Sequence, residues 1–207
     1  MIREMSKKTI QRRQAIIDRF VASFEKLDEM TAFPHETIAV QFASTEPDEC
    51  GWREWRPKRV VTGSAALGQI YAEIPARFPP LFEQLLLTYR WAEIDLADYR
   101  LLPNPLGPDL HGFFEQMSRD KAIWNALIPA GYLQFGKGAD MDYDPVCFDI
   151  RSRGKDGDYK IVKIDHEQIL CYDQVKVVGE LAAGFEQLVL RTIEKASRFR
   201  SFGVPAS

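Results

Sequence analysis

The sequence predicts an α+β fold: an antiparallel or mixed sheet with helices packed on one face, preceded by an N-terminal helical extension. Three observations carry that reading. Apolar residues recur at three- and four-residue spacing in segments up to Leu127. They then alternate with a period of two, and helical spacing returns from Leu181. The 207 residues are 45% hydrophobic and 28% charged, the composition of a folded domain.

The elements follow in chain order. Ile16, Ile17, Phe20, Val21, Phe24 and Leu27 fall on one stripe, which predicts an amphipathic helix over residues 6–30. The first 20 residues carry six basic and two acidic side chains, a net of +4. With Glu4 and Asp18 interspersed, this reads as a solvated helix face, not a transit peptide or a nucleic-acid arm. Charges throughout Met1–Arg19 leave no apolar run for a signal peptide. Ile38, Val40 and Phe42 alternate with Ala39 and Gln41, predicting a strand over Thr37–Ala43. Ser44–Gly51 reads as a loop. Trp52, Arg53, Trp55, Arg56, Lys58 and Arg59 interleave aromatic and basic groups, which can stack bases and neutralise phosphates. In an acidic chain the better reading is a strand with one packed Trp face.

Ala65–Ile74 reads as a short helix, and Pro79-Pro80 starts another, since proline fits a first turn. The run from Pro103 to Pro108 is a connector. Leu110–Leu127 reads as a helix stopped by Pro129 and Gly131. Tyr132–Phe135, Val146–Ile150, Lys160–Asp165 and Val175–Val178 read as strands, and a C-terminal helix begins near Leu181. The division expected is an extension over 1–60 packing on a main domain over 61–199, with a tail over 200–207.

Composition excludes several classes. No run approaches about 20 apolar residues, so no membrane span is expected. Cysteines 50, 147 and 171 form no CxxC and no close pair, which argues against a disulfide scaffold or zinc ribbon and for a reducing, cytoplasmic setting. A net charge of −3 argues against a general nucleic-acid binder.

Three motifs look chemical. Gly131 to Gly138 nearly matches a phosphate-binding P-loop, but Gly138 replaces the hydroxyl residue and no helix follows. Asp140, Asp142 and Asp144 resemble the start of an EF-hand, yet Pro145 and Arg151 stand where that loop needs Gly and Glu. The same carboxylates would serve a looser cation site, but turn chemistry alone accounts for them, and the expected reading is a solvated loop whose aspartates cap turns. Their mutual repulsion still has to be offset, by a metal or by a basic partner surface.

Cys147 and His166 suggest a thiol–imidazole dyad, which the strand register can test. If Asp156-Gly157 is a two-residue turn, paired residue numbers sum to 313 and Cys147 faces His166. A sum of 312 sorts the faces better, with Phe148 opposite Ile164 and Ile150 opposite Val162 in the core, and Asp149 opposite Lys163 in water. The register expected is 312, with Cys147 and His166 on opposite faces and His166 a packed, hydrogen-bonded strand-end residue. His35 and His111 have no second ligand at metal spacing. Glu93, Asp95 and Asp98 are candidate paired carboxylates, with a solvated strand or turn as the expected home.

From residue 60 to about 197 the chain resembles the SUKH superfamily, which includes a fungal cell-wall-synthesis regulator and many bacterial immunity proteins. The resemblance lies in Phe78-Pro79-Pro80-Leu81-Phe82 through Leu87, like the family's Pro-initiated helix. It continues in Tyr132–Gly136 through Asp142–Asp149, like its glycine–aspartate strand pair. Ile161–Glu167 resembles the next strand with its Asp/His step, and Leu181–Val189 the closing helix. Tyr89-Arg90-Trp91 stands where many members have an Asn-Gly-Gly turn.

The resemblance implies a non-enzymatic binding fold, without catalytic residues, metal or cofactor, whose bacterial relatives neutralise a cognate toxin. Residues 138–173 hold nine acidic and five basic side chains, a net of −4, which suits a basic protein partner such as a toxin domain. The expected contacts are Asp140, Asp142 and Asp144, with Trp91 as an exposed anchor and Glu93 beside it. The rival readings are a carboxylate- or metal-dependent hydrolase using the Asp140–Asp144 region and a nucleic-acid binder built on Trp52–Arg59.

Overall fold

A computed structural model describes residues 7–32 and 37–199 and shows an α+β fold. The extension contributes α1 (Lys7–Val21), α2 (Phe24–Leu27), β1 (Thr31–Ala32), α3 (Thr37–Val40), β2 (Arg53–Glu54) and β3 (Lys58–Arg59). A 3₁₀ turn at Ser64–Ala66 leads into α4 (Leu67–Glu73), α5 (Pro80–Thr88), β4 (Tyr89–Arg90), β5 (Ile94–Asp95), β6 (Tyr99–Leu101), α6 (His111–Met117) and α7 (Lys121–Leu127). The rest is β7 (Tyr132–Gly138), β8 (Pro145–Asp149), β9 (Lys160–Ile164), α8 (His166–Tyr172), β10 (Val177–Ala182) and α9 (Phe185–Phe199). Six strands form one antiparallel sheet in the order β10-β9-β8-β7-β6-β5. Among the described residues no helix is long and apolar enough to cross a membrane.

The main helical layer is α5 and α9, packed on one face of the sheet, with α1 packed against both helices. Proline at its first position starts α5, and Leu81, Phe82, Leu85 and Leu86 then bury one face. Phe82 is the hub. Its ring lies 5.1–5.7 Å from those of Phe78, Phe113, Phe135, Phe148 and Phe185, and Phe135 stacks on Phe148 at 4.2 Å. The extension belongs to the same core: Phe20, Phe24, Met30, Phe42 and Trp55 join one continuous cluster with the sheet, and β3 pairs with β4.

Several expectations are corrected. Residues 37–40 form a helical turn, not a strand, and the helix over 6–30 breaks at Ala22-Ser23. The helix over 110–127 breaks where the Asp120 side chain accepts from the amides of Ala122 and Ile123 and so starts a new helix. The expected strand end at Asp165 instead caps α8, its carboxylate accepting from the Gln168 amide. Trp55 is packed in the core, Arg56 pairs with Glu25 and Glu54, and Lys58 donates to the Gln41 carbonyl. Within the aromatic–basic cluster, Trp55, Arg56 and Lys58 are thus engaged with the fold.

The register of β8 and β9 sums to 309, with Phe148 opposite Ile161, Cys147 opposite Val162, and Asp149 opposite Lys160. The 312 expectation rested on a tight turn and on one wet face, and neither holds. A 3₁₀ turn at Ile150–Ser152 and a further loop join the strands. Helices α7 and α8 cover part of the second face, where Cys147, Val162 and Ile164 pack with Ile123, Leu127 and Ile169. Both strand faces are therefore apolar, so the pattern could not select one register.

Replacing Phe82 by Ala should cost about 3–5 kcal/mol in denaturant unfolding, since it empties the hub of the aromatic cluster. Leu190→Ala on the outer side of α9, where Leu190 is exposed, should cost under about 0.5 kcal/mol.

Candidate functional site

The second sheet face carries a groove of about 990 Å³. Its far wall comes from Thr31, Ile38 and Trp55 of the extension, its floor from Gln134 and Lys137 of β7, and its near wall from α7, α8 and Tyr143. The loop from Ala139 to Asp144 sets that near wall, and its geometry comes from ionic pairing. Lys163 Nζ lies 2.8 Å from Asp142 Oδ2 and 3.8 Å from Asp144 Oδ2. Asp144 Oδ1 accepts the His166 amide at 3.0 Å and lies 2.8 Å from His166 Nδ1. The Asp144 amide donates to Asp142 Oδ1 at 2.8 Å, and the Arg100 guanidinium donates to the Asp142 carbonyl at 2.9 Å.

Partial burial raises the Asp142 carboxyl, but the Lys163 hydrogen bond, the Asp144 amide and the Lys163 charge outweigh it and hold the group below its usual value. The bond to Asp142 in turn raises the Lys163 ammonium above its own usual value. The two aspartates are therefore compensated from within, not left solvated as expected. Asp140 does differ: it is exposed, adopts a left-handed φ of 53°, and its amide donates to Asp95 Oδ2 at 2.8 Å. Its carboxylate has no ion-pair partner among the described residues.

Trp91 is the clearest correction. It is 0% exposed, and its indole N–H donates to the Leu102 carbonyl at 3.0 Å, so it offers no surface anchor. Its backbone bridges Asn104, which holds it between α5 and the sheet. Glu93 does face the groove, but its carboxylate already receives Arg100 at 3.3 Å and Lys137 at 3.2 Å. Asp95 receives the amides of Ala97 and Asp140, and Asp98 pairs with Lys195, so the candidate carboxylate pairs do not form.

The exposed apolar side chains that sequence reasoning missed are Met141 and Tyr143 on the loop and Leu170 on α8, exposed by 78%, 53% and 53%. The Tyr143 and His166 rings meet edge to face at 6.2 Å, and Leu170 lies one helical turn beyond His166. The only sequence signal was the apolar side chains set inside an acidic loop. The thiol of Cys147 is fully buried, and burial pushes its pKa well up. The strands place it on the face of Ile164, but His166 has left the strand to begin α8, and no hydrogen bond joins the two. His111 is exposed beside Glu115, and His35 lies outside the described residues. The near-P-loop glycines serve packing: a Cβ on Gly136 would meet the Arg100 carbonyl at 2.5 Å, and one on Gly138 would overlap the Asp142 carboxylate. Among the described residues no three His, Cys, Asp or Glu side chains are grouped to hold a metal ion.

The Asp142–Lys163 pair makes stability depend on pH at both ends. The Asp142 carboxyl is depressed on folding, so its contribution is present above 3.8 and lost as pH falls through the folded value. The Lys163 value is raised, so its contribution is present below 10.5 and lost as pH rises through the folded value. The stability difference between wild type and Asp142→Asn, measured by denaturant unfolding across pH, should be greatest between those limits and shrink beyond each. A difference independent of pH would contradict the pairing.

No family model, curated protein or solved structure matches the chain.

Proposed function

We propose that this chain is a protein-interaction module, an immunity or regulatory protein of the kind its SUKH resemblance implies, and that it binds a basic protein partner. One observation carries the reading: Tyr143 and Leu170 line the groove and are more than half exposed, Met141 is exposed on the same loop as Tyr143, and the exposed Asp140 and Glu167 lie on that loop and on α8. Neither carboxylate has an ion pair among the described residues. Exposed apolar side chains cost free energy in water and supply most of the energy of an interface when covered. Unpaired carboxylates around them add association rate and orientation toward a basic surface. Asp142 and Asp144 serve the same site indirectly, by fixing the loop that presents Tyr143. A hydrolytic role would ask those two carboxylates to hold a metal or a water, while both are engaged with Lys163 and His166.

The test mixes the purified protein with basic toxin-like domains, beginning with any such product of a neighbouring gene. The expected result is a stable complex that protects the toxin's target. Tyr143→Ala should weaken it by at least about tenfold, and Asp140→Asn should mainly slow association and reduce its salt dependence. Absence of both complex and protection, with the toxin active alone, would overturn the reading.

A further inference from the structure

The six-stranded sheet has two edges, and they end differently. At one edge β5 is only two residues long. Its Ile94 is buried, and the Asp95 amide donates to Asp28 Oδ2 at 2.8 Å, so the extension covers that edge. At the other edge β10 is six residues long and, among the described residues, pairs with β9 alone. The unpaired N–H and C=O groups of such an edge are a template for another strand.

Edges are ordinarily guarded by proline, by charge or by a covering element. β10 has no proline, and its single charged residue, Glu180, is held by Lys160 of β9 at 2.9 Å. Val177 and Val178 are exposed by 43% and 45%. Lys176, just before the strand, is exposed and has no ion pair among the described residues. The pairing with β9 slips between Val177 and Gly179 and again between Glu180 and Ala182. Two bulges coil the strand, so a flat strand from another protein follows it poorly, while a second copy carries the same coil. The edge is also complementary to itself. A two-fold axis at Val178 sets that residue opposite its own copy and sets Lys176 of each copy opposite Glu180 of the other.

We infer that β10 is a dimerisation edge: two copies of the chain pair antiparallel through it, joining their sheets into one, with Lys176 of each copy against Glu180 of the other. The inference is independent of the proposed toxin partner.

Sedimentation velocity of the full chain at low salt, from about 1 to 100 μM, tests it. Wild type should pass from monomer to dimer across that range. Lys176→Glu alone and Glu180→Lys alone each set like charges opposite one another twice, and each should weaken the dimer at least about tenfold. An equimolar mixture of the two variants restores opposite charges at both contacts and should recover the dimer, a rescue that a local structural defect would not give. Val178→Lys should leave the chain monomeric throughout. A wild type that stays monomeric at the highest concentration, charge variants that dimerise as wild type does, a mixture without recovery, or a dimer that survives Val178→Lys would each overturn the inference. Thermal unfolding of each variant establishes that it is folded.

Discussion

Two carboxylates two residues apart on one short loop repel each other, and the loop keeps its shape because Lys163 and His166 reach both of them. Lys163 stands on β9 and His166 opens α8, so the pairing ties the loop to two elements at once. The edges of the groove, the position of the Tyr143 ring and the exposure of Met141 all follow from that tie. The pairs are partly buried, so they are screened less than surface pairs and fix geometry more firmly.

The same compensation changes where the energy for the proposed recognition would come from. An acidic loop in the sequence suggests an electrostatic surface. In the fold, Asp142, Asp144, Asp149 and Asp165 are occupied with Lys163, His166, Arg151 and the start of α8. What stays exposed is the apolar Met141, Tyr143 and Leu170, with Asp140 and Glu167 exposed and without an ion pair among the described residues. Such a surface binds chiefly by covering aromatic and aliphatic side chains, while charge governs approach.

How much was legible in the sequence depended on whether a pattern had one solution. The α+β class, the Pro80 helix and the C-terminal helix were readable because period and punctuation agreed. The break at Asp120 was a readable N-cap that a continuous apolar stripe concealed. The β8–β9 register was not readable, because Cys147, Val162 and Ile164 are as apolar as Phe148 and Ile161, and both faces of the sheet are covered. Trp91 could not be placed without knowing that β4 runs directly from α5 into the core. The groove floor was hidden for a different reason: it depends on a bulge in β7, between Gln134 and Gly136, which no residue type announces.

The tie between loop and sheet is most directly measured by amide hydrogen exchange at His166 in wild type and in Asp144→Ala. The His166 amide donates to Asp144 Oδ1, so its protection reports that contact. The account predicts strong protection in wild type and its loss in the variant, with the amides of β7 and β8 unchanged. Equal exchange at His166 in the two proteins would mean that the aspartates do not hold the loop, and the wall of the groove would need another explanation.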